Sequence, residues 1–185
     1  MIEIPTQILQ YAQLTQHYYV PHQRTGGFQE LDTQKRGDGD LTDLLGSLMV
    51  YHLAAQQDVI CRIELCCGAG DKSDLELSIG GQFKTINVKT SSYAPYREGL
   101  NLFVKEEELN KDIDLYMQVF VHLNEGGAVP HIHIAGCVSR NSDVWKRHNR
   151  LITIPKTGYP GIGIPVAELG SFDELIKLCD RKPNA

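Results

Sequence analysis

The chain has 185 residues, of which 42% are apolar and 22% charged, with a formal net charge of −5. That length supports one domain with a sizeable core, and the acidic balance argues against a protein that coats nucleic acid indiscriminately. No apolar run approaches the roughly 20 residues of a membrane span, and the start MIEIPTQILQ lacks the charged lead-in of a signal peptide, so a cytoplasmic chain without a membrane partner is expected.

Five cysteines, Cys61, Cys66, Cys67, Cys137 and Cys179, match neither a zinc pattern nor a disulfide framework and read as reduced core thiols. Charge is uneven along the chain. Residues 1–80 hold 11 acids and 5 basic residues, whereas residues 81–185 hold 12 acids and 13 basic residues. The densest basic stretch, Arg140–Lys156, carries Arg140, Lys146, Arg147, Arg150 and Lys156 against Asp143 alone, and could hold phosphates or simply be solvated.

In chain order, Thr6–Tyr18 reads as a helix after Pro5, and the polar stretch Pro21–Asp40 as a mobile or binding loop. Leu41–Gln56 reads as an amphipathic helix capped by Asp40, with Leu41, Leu44, Leu45, Leu48 and His52 on one stripe. His52 there is a core histidine rather than a ligand. Strands follow at Val59–Leu65, Asp74–Ile79, Phe83–Thr90, Leu115–His122 and Val129–Val138. Lys105–Asn110 and Ser142–Arg147 are short helical turns. Gly158–Pro165 is a loop leading into an edge strand, and Phe172–Cys179 is a final helix. Helix, a run of strands, then helix is an α/β or α+β pattern with a central mixed sheet flanked by helices.

The stretch DKSDLELSIGGQFKTINVKTSS, Asp71–Ser92, carries the most chemistry. Leu75, Leu77 and Ile79 alternate with Asp74, Glu76 and Ser78, and Ile86, Val88 and Thr90 alternate with Thr85, Asn87 and Lys89. Gly80-Gly81 suits a two-residue hairpin turn, because glycine tolerates the positive φ it requires. Pairing Ile79 with Gln82 sets Leu75 opposite Ile86, Glu76 opposite Thr85 and Asp74 opposite Asn87, with Lys89 diagonal to Asp74. An acid, an amide and a lysine on one polar face suit a divalent metal such as Mg2+ or Mn2+ and an activated water.

GDKSDLEL…INVKTSS resembles the PD-(D/E)XK nuclease superfamily, the restriction-endonuclease-like fold. The resemblance extends to the preceding helix and to DIDLYMQVFVHL and HIHIAGCVS as the next strands, covering about residues 40–140 of a single domain. It implies that Asp74 is the motif aspartate and Lys89 the motif lysine. Asn87 stands at the second acid position, and the Val88 carbonyl helps hold the metal. Asn87 departs from the pattern, being a neutral and weaker ligand, and Glu76 or Glu64 could compensate. The helix offers only Asp43 where related proteins present a glutamate. The implied reaction is metal-dependent hydrolysis of a DNA phosphodiester in restriction, phage defence, repair or phage DNA processing. Ser91, Ser92, Arg147 and Arg150 are candidate phosphate contacts, and such enzymes often act as homodimers.

Two other readings stand beside it. The same fold with a blunted site could be a nucleic-acid-binding or assembly subunit. Alternatively His131 and His133, on one face of a strand, could join His122 across the NEGG turn in a metal hydrolase site for zinc or iron.

Overall fold

The computed structural model describes residues 1–19, 33–63, 75–92, 100–123, 129–154 and 158–182, with side chains for all of these except 16–19 and 33–40. It is an α+β structure built on a six-stranded mixed sheet, in the order β1 (Ile2–Glu3), β7 (His131–Ser139), β6 (Leu115–His122), β4 (Gln82–Ser91), β3 (Leu75–Ile79) and β2 (Cys61–Ile63). Strands β4 and β6 run parallel, and every other neighbouring pair is antiparallel.

The hairpin register is the one the alternation predicts: Ile79 faces Gln82, Glu76 faces Thr85 and Leu75 faces Ile86. Gly80 and Gly81 both take positive φ, 60° and 77°, in the turn between them. Asp180 fastens that turn, its carboxylate accepting from the Ser78 hydroxyl at 2.6 Å and the Gly81 N–H at 2.8 Å.

One sheet face carries Leu75, Leu77, Ile86, Val88, Met117, Val119, Val121 and Ile132 into the larger core. Helices α1 (Thr6–Tyr19), α2 (Thr33–Gln56) and α4 (Phe172–Leu178) contribute Ala12, Leu45, Met49, Val50, Ala54, Leu175 and Ile176 to it. Helix α2 starts at Thr33, so residues 33–40 are helical rather than part of a loop, and Asp40 lies inside the helix instead of capping it. The ladder runs through Gly37 and Gly39 despite a propensity cost of about 1 kcal/mol each. The buried line is also rotated from the predicted stripe. Thr42, Leu45, Met49 and Ala54 are buried, whereas Leu41, Leu44, Leu48 and His52 are half-buried on its flank.

The opposite face holds a second core. Leu102 and Val104 of β5 (Asn101–Lys105), Ile162 and Ile164 of β9 (Pro160–Pro165), and Val144 of the short helix α3 (Val144–Arg147) pack on Ile113, Tyr116 and Val138. Strands β5, β9 and β8 (Ile152–Thr153) form a second sheet in that order, with β9 in the middle. The GYPGIGIP segment is therefore a central strand and not an edge. Its glycines permit close approach: a Cβ on Gly161 would lie 2.4 Å from the Val104 carbonyl oxygen and 2.4 Å from Ile154 Cδ1.

Parallel strands need a crossover, and the connection from β4 to β6 is the one that matters here. It contains β5 and a 3₁₀ segment, Glu106–Asn110, both placed against the face opposite α1 and α2. That path brings Glu108, the last of three consecutive glutamates, to the polar side of β4.

Candidate functional site

Alternation along β4 sends Ile86 and Val88 into the larger core and leaves Asn87, Lys89 and Ser91 on the other face. Across the parallel ladder Asn87 faces Tyr116, Lys89 faces Gln118 and Ser91 faces Phe120. Gln118 is 2% exposed, and its Nε2 donates to the Val119 carbonyl at 3.2 Å and to Ser91 Oγ at 3.4 Å. A buried glutamine in mid-strand is an informative exception to apolar burial.

Lys89 Nζ lies 2.6 Å from Glu108 Oε1, the two side chains being 21% and 17% exposed. The other Glu108 oxygen accepts from the Lys105 N–H at 3.1 Å, and the Tyr116 hydroxyl donates to the Glu108 carbonyl at 2.8 Å. Burial pushes the Glu108 carboxyl up. The Lys89 ammonium and the hydrogen bonds from Lys89 and Lys105 outweigh that and hold it below its ordinary value. Asn87 Oδ1, on the same face two residues before Lys89, is buried with no hydrogen-bond partner among the described residues. An acceptor left in that condition costs about 1–3 kcal/mol.

Glu108 is the functional candidate that reading the sequence missed. It sits 19 positions beyond Lys89 on a short helical turn, and the crossover alone brings the two together. The one available signal was the cluster Glu106, Glu107 and Glu108 opening a segment between two strands.

The remaining sequence candidates are scattered. Asp74 and Glu64 lie outside the described residues, so the Asp74–Asn87 and Asp74–Lys89 pairings do too. Glu76 shares the polar face but stands opposite Thr85, four residues along β4 from Lys89, or about 13 Å at 3.3 Å per residue. Its near partner is Arg62, at 3.9 Å. The Val88 side chain is buried in the core. Asp43 accepts a hydrogen bond from the Thr90 hydroxyl on the α2 side of β4, away from Lys89. Ser92 is exposed. In the basic stretch, Arg147 pairs with Glu168 at 2.8 Å and Lys146 with Asp143 at 2.6 Å, while Arg140 donates to the carbonyls of Lys111 and Leu109. Arg150 is exposed in the coil before β8, and Lys156 lies outside the described residues. Cys137 and Cys179 are buried free thiols and Cys61 is half-buried, while Cys66 and Cys67 lie outside the described residues. Burial, with Cys179 and Glu174 nearby, pushes Cys137 up to about 11.

No family model matches the chain, and no curated protein matches it. The site therefore rests on its own geometry.

The histidines occupy the same sheet face at its other end. His122 faces His131 and His133 faces Phe120, so all three rings share one side. His122 and His131 stack with centroids 4.6 Å apart and planes at 28°, and His131 Nδ1 lies 3.1 Å from the Val129 carbonyl. Among the described residues, no three His, Cys, Asp or Glu side chains are grouped so as to hold a metal ion. A cavity of about 220 Å³ opens beside His133, between β1 and the start of α4, away from Lys89. For a hard cation the test differs, because magnesium needs only one or two carboxylates and keeps several waters. The orphaned Asn87 oxygen and the Glu108 carboxylate fit that donor chemistry.

Proposed function

We propose that the chain is a metal-dependent DNA endonuclease of the restriction-endonuclease-like fold, acting in the cytoplasm and hydrolysing phosphodiester bonds with Mg2+ or Mn2+. The observation that carries this reading is the Lys89 ammonium, held on one sheet face by a largely buried carboxylate and two residues from an acceptor oxygen that no described residue satisfies. A carboxyl held below its ordinary value beside an unsatisfied polar atom is characteristic of reacting sites. The order of helix α2, the β3–β4 hairpin, parallel β6 and antiparallel β7 supports the same fold.

In this reading Asp74, Asn87 and the Val88 carbonyl are the metal-side groups, with Glu76 as a further candidate acid. When bound, the metal lowers the pKa of a coordinated water and draws charge from a phosphoryl oxygen. Lys89 orients the attacking water and offsets the negative charge that builds on phosphorus oxygens as the water adds and the ester P–O bond breaks. Ser91 and the exposed Arg150 would steady a phosphate backbone, and Arg147 would have to leave Glu168 to do so. A homodimer would allow both strands to be cut.

The blunted alternative has an observation of its own. Lys89 and Arg147 already have their charge balanced by Glu108 and Glu168. The deciding experiment is cleavage of supercoiled plasmid with Mg2+ or Mn2+ by the wild-type chain and by Lys89→Ala. Metal-dependent nicking that disappears in the variant is the expected result. If wild type leaves plasmid, single-stranded and branched DNA intact, the binding subunit takes its place.

A further inference from the structure

Three features of the Lys89 corner need a common cause. Asn87 Oδ1 is a buried acceptor with no donor among the described residues. Glu108 is brought over the sheet by the β4–β6 crossover and held there by Lys105 and Tyr116, although no core packing requires a carboxylate at that place. Among the described residues each Glu108 oxygen receives one donor, which uses about half of the lone-pair sites of a carboxylate. Asn87 and Glu108 also share two neighbours, since Tyr116 faces Asn87 and bonds the Glu108 backbone, and Lys89 lies two residues from Asn87 and bonds the Glu108 side chain.

We infer that Glu108 is the acid of this site, supplying the charge that Asn87 does not, and that Lys89 and a hard divalent cation compete for it. The cation takes a Glu108 oxygen and the orphaned Asn87 oxygen, and the ammonium swings aside. Lysine suits this exchange. It is a compact, strongly hydrated charge on a flexible stem, and its side chain reaches solvent here. The released ammonium is then free to meet a phosphoryl oxygen, so the cation's arrival arms the lysine. No covalent step is involved. The inference deepens the nuclease reading and rests on it for its purpose, but metal exchange can be measured without DNA.

The experiment is calorimetric titration of the full chain with Mn2+ and Mg2+, for wild type, Lys89→Met and Glu108→Gln, with circular dichroism to confirm folding. Removing the competing cation is expected to tighten Mn2+ binding by roughly three- to tenfold in Lys89→Met, and removing the acid to weaken it by at least about tenfold in Glu108→Gln. A lysine variant that binds metal more tightly yet no longer cleaves is the distinguishing result. A second measurement needs no variant: Mn2+ added to the wild-type chain should broaden the Asn87 side-chain amide resonances. Unchanged or weaker affinity in Lys89→Met, or broadening confined to the His122, His131 and His133 rings, overturns the inference. Plasmid cleavage that survives in Glu108→Gln overturns it and leaves the nuclease reading standing. Metal exchange as described in a chain that cuts no DNA does the reverse.

Discussion

Lys89 and His131 project from the same face of the same sheet, yet their surroundings differ in kind. At the Lys89 end the crossover from β4 to β6 covers the face, excludes most of the water and delivers an opposite charge at 2.6 Å. At the histidine end, four residues further along β6, the His122 and His131 rings stack on one another. Burial, then His131 and His133, hold the His122 ring below its ordinary pKa, which is the response of a base with no counter-charge. Burial under a crossover makes charge pairing obligatory, whereas the half-covered end tolerates two imidazoles stacked on each other.

That contrast breaks most decisively at the ion pair. Removing one partner of a desolvated pair strands the other, so Lys89→Met and Glu108→Gln should each cost about 1–3 kcal/mol in urea unfolding. The double variant should cost clearly less than the two singles together, because neither charge is then left alone. Strict additivity would mean that the two groups do not sense each other, and the Lys89 end would be no more charge-coupled than the histidine end. A smaller effect tests the same carboxyl by pH. The Glu108 carboxyl is held below its ordinary value in the folded chain, so its contribution is present above the ordinary carboxylate value and is lost as pH falls through the lower, folded one. The thermal midpoint of Glu108→Gln should therefore fall less steeply than that of wild type below about pH 4.5. Some slope must remain, since Asp114 is held low by Thr85 and Lys84 against its own burial. Parallel curves would contradict the assignment.

How much of this could be read from the sequence follows from the range of each interaction. The β3–β4 hairpin was legible to the residue, because alternation and a Gly-Gly turn fix register locally. Strands β6 and β7 were legible from their apolar runs. Strand β9 was not, since its glycines read as punctuation until the close approach of Val104 and Ile154 shows why side chains are excluded there. The leucine stripe of helix α2 found the side that packs on the sheet, with Leu45 in the core and Leu41, Leu44 and Leu48 against it, but not its centre, which lies toward Thr42, Met49 and Ala54. At the site, Asn87 and Lys89 were placed on one face by period alone. Glu108 was invisible to that logic: its position depends on the path of a crossover, and no local pattern encodes the contact it makes. Arg147 was read as a candidate phosphate contact from the basic composition around it, and composition carries no information about Glu168, which pairs with Arg147 and His148.

The histidine end gives the smallest effect and the cleanest sign. Folded His122 resists protonation relative to its ordinary value of about 6.5, so the unfolded chain binds more protons in that range and acid favours unfolding. Its contribution is complete above that value and is lost as pH falls toward the folded one, and His133, lowered by burial and by the amino group of Met1, adds a slope of the same sign. Replacing His122 by phenylalanine keeps a ring to stack on His131 and removes the proton. His122→Phe should thus lose less stability than wild type between pH 7 and pH 5, by well under about 1 kcal/mol for groups this open to solvent. Salt separates the two ends of the face. Repulsion among half-exposed rings is screened within a Debye length of about 3 Å at 1 M, so the His122 slope should shrink, whereas the Lys89–Glu108 coupling, shielded by the crossover, should largely persist. If 1 M salt reduced both alike, the crossover would not be excluding water, and the distinction between the two ends would fail at its physical root.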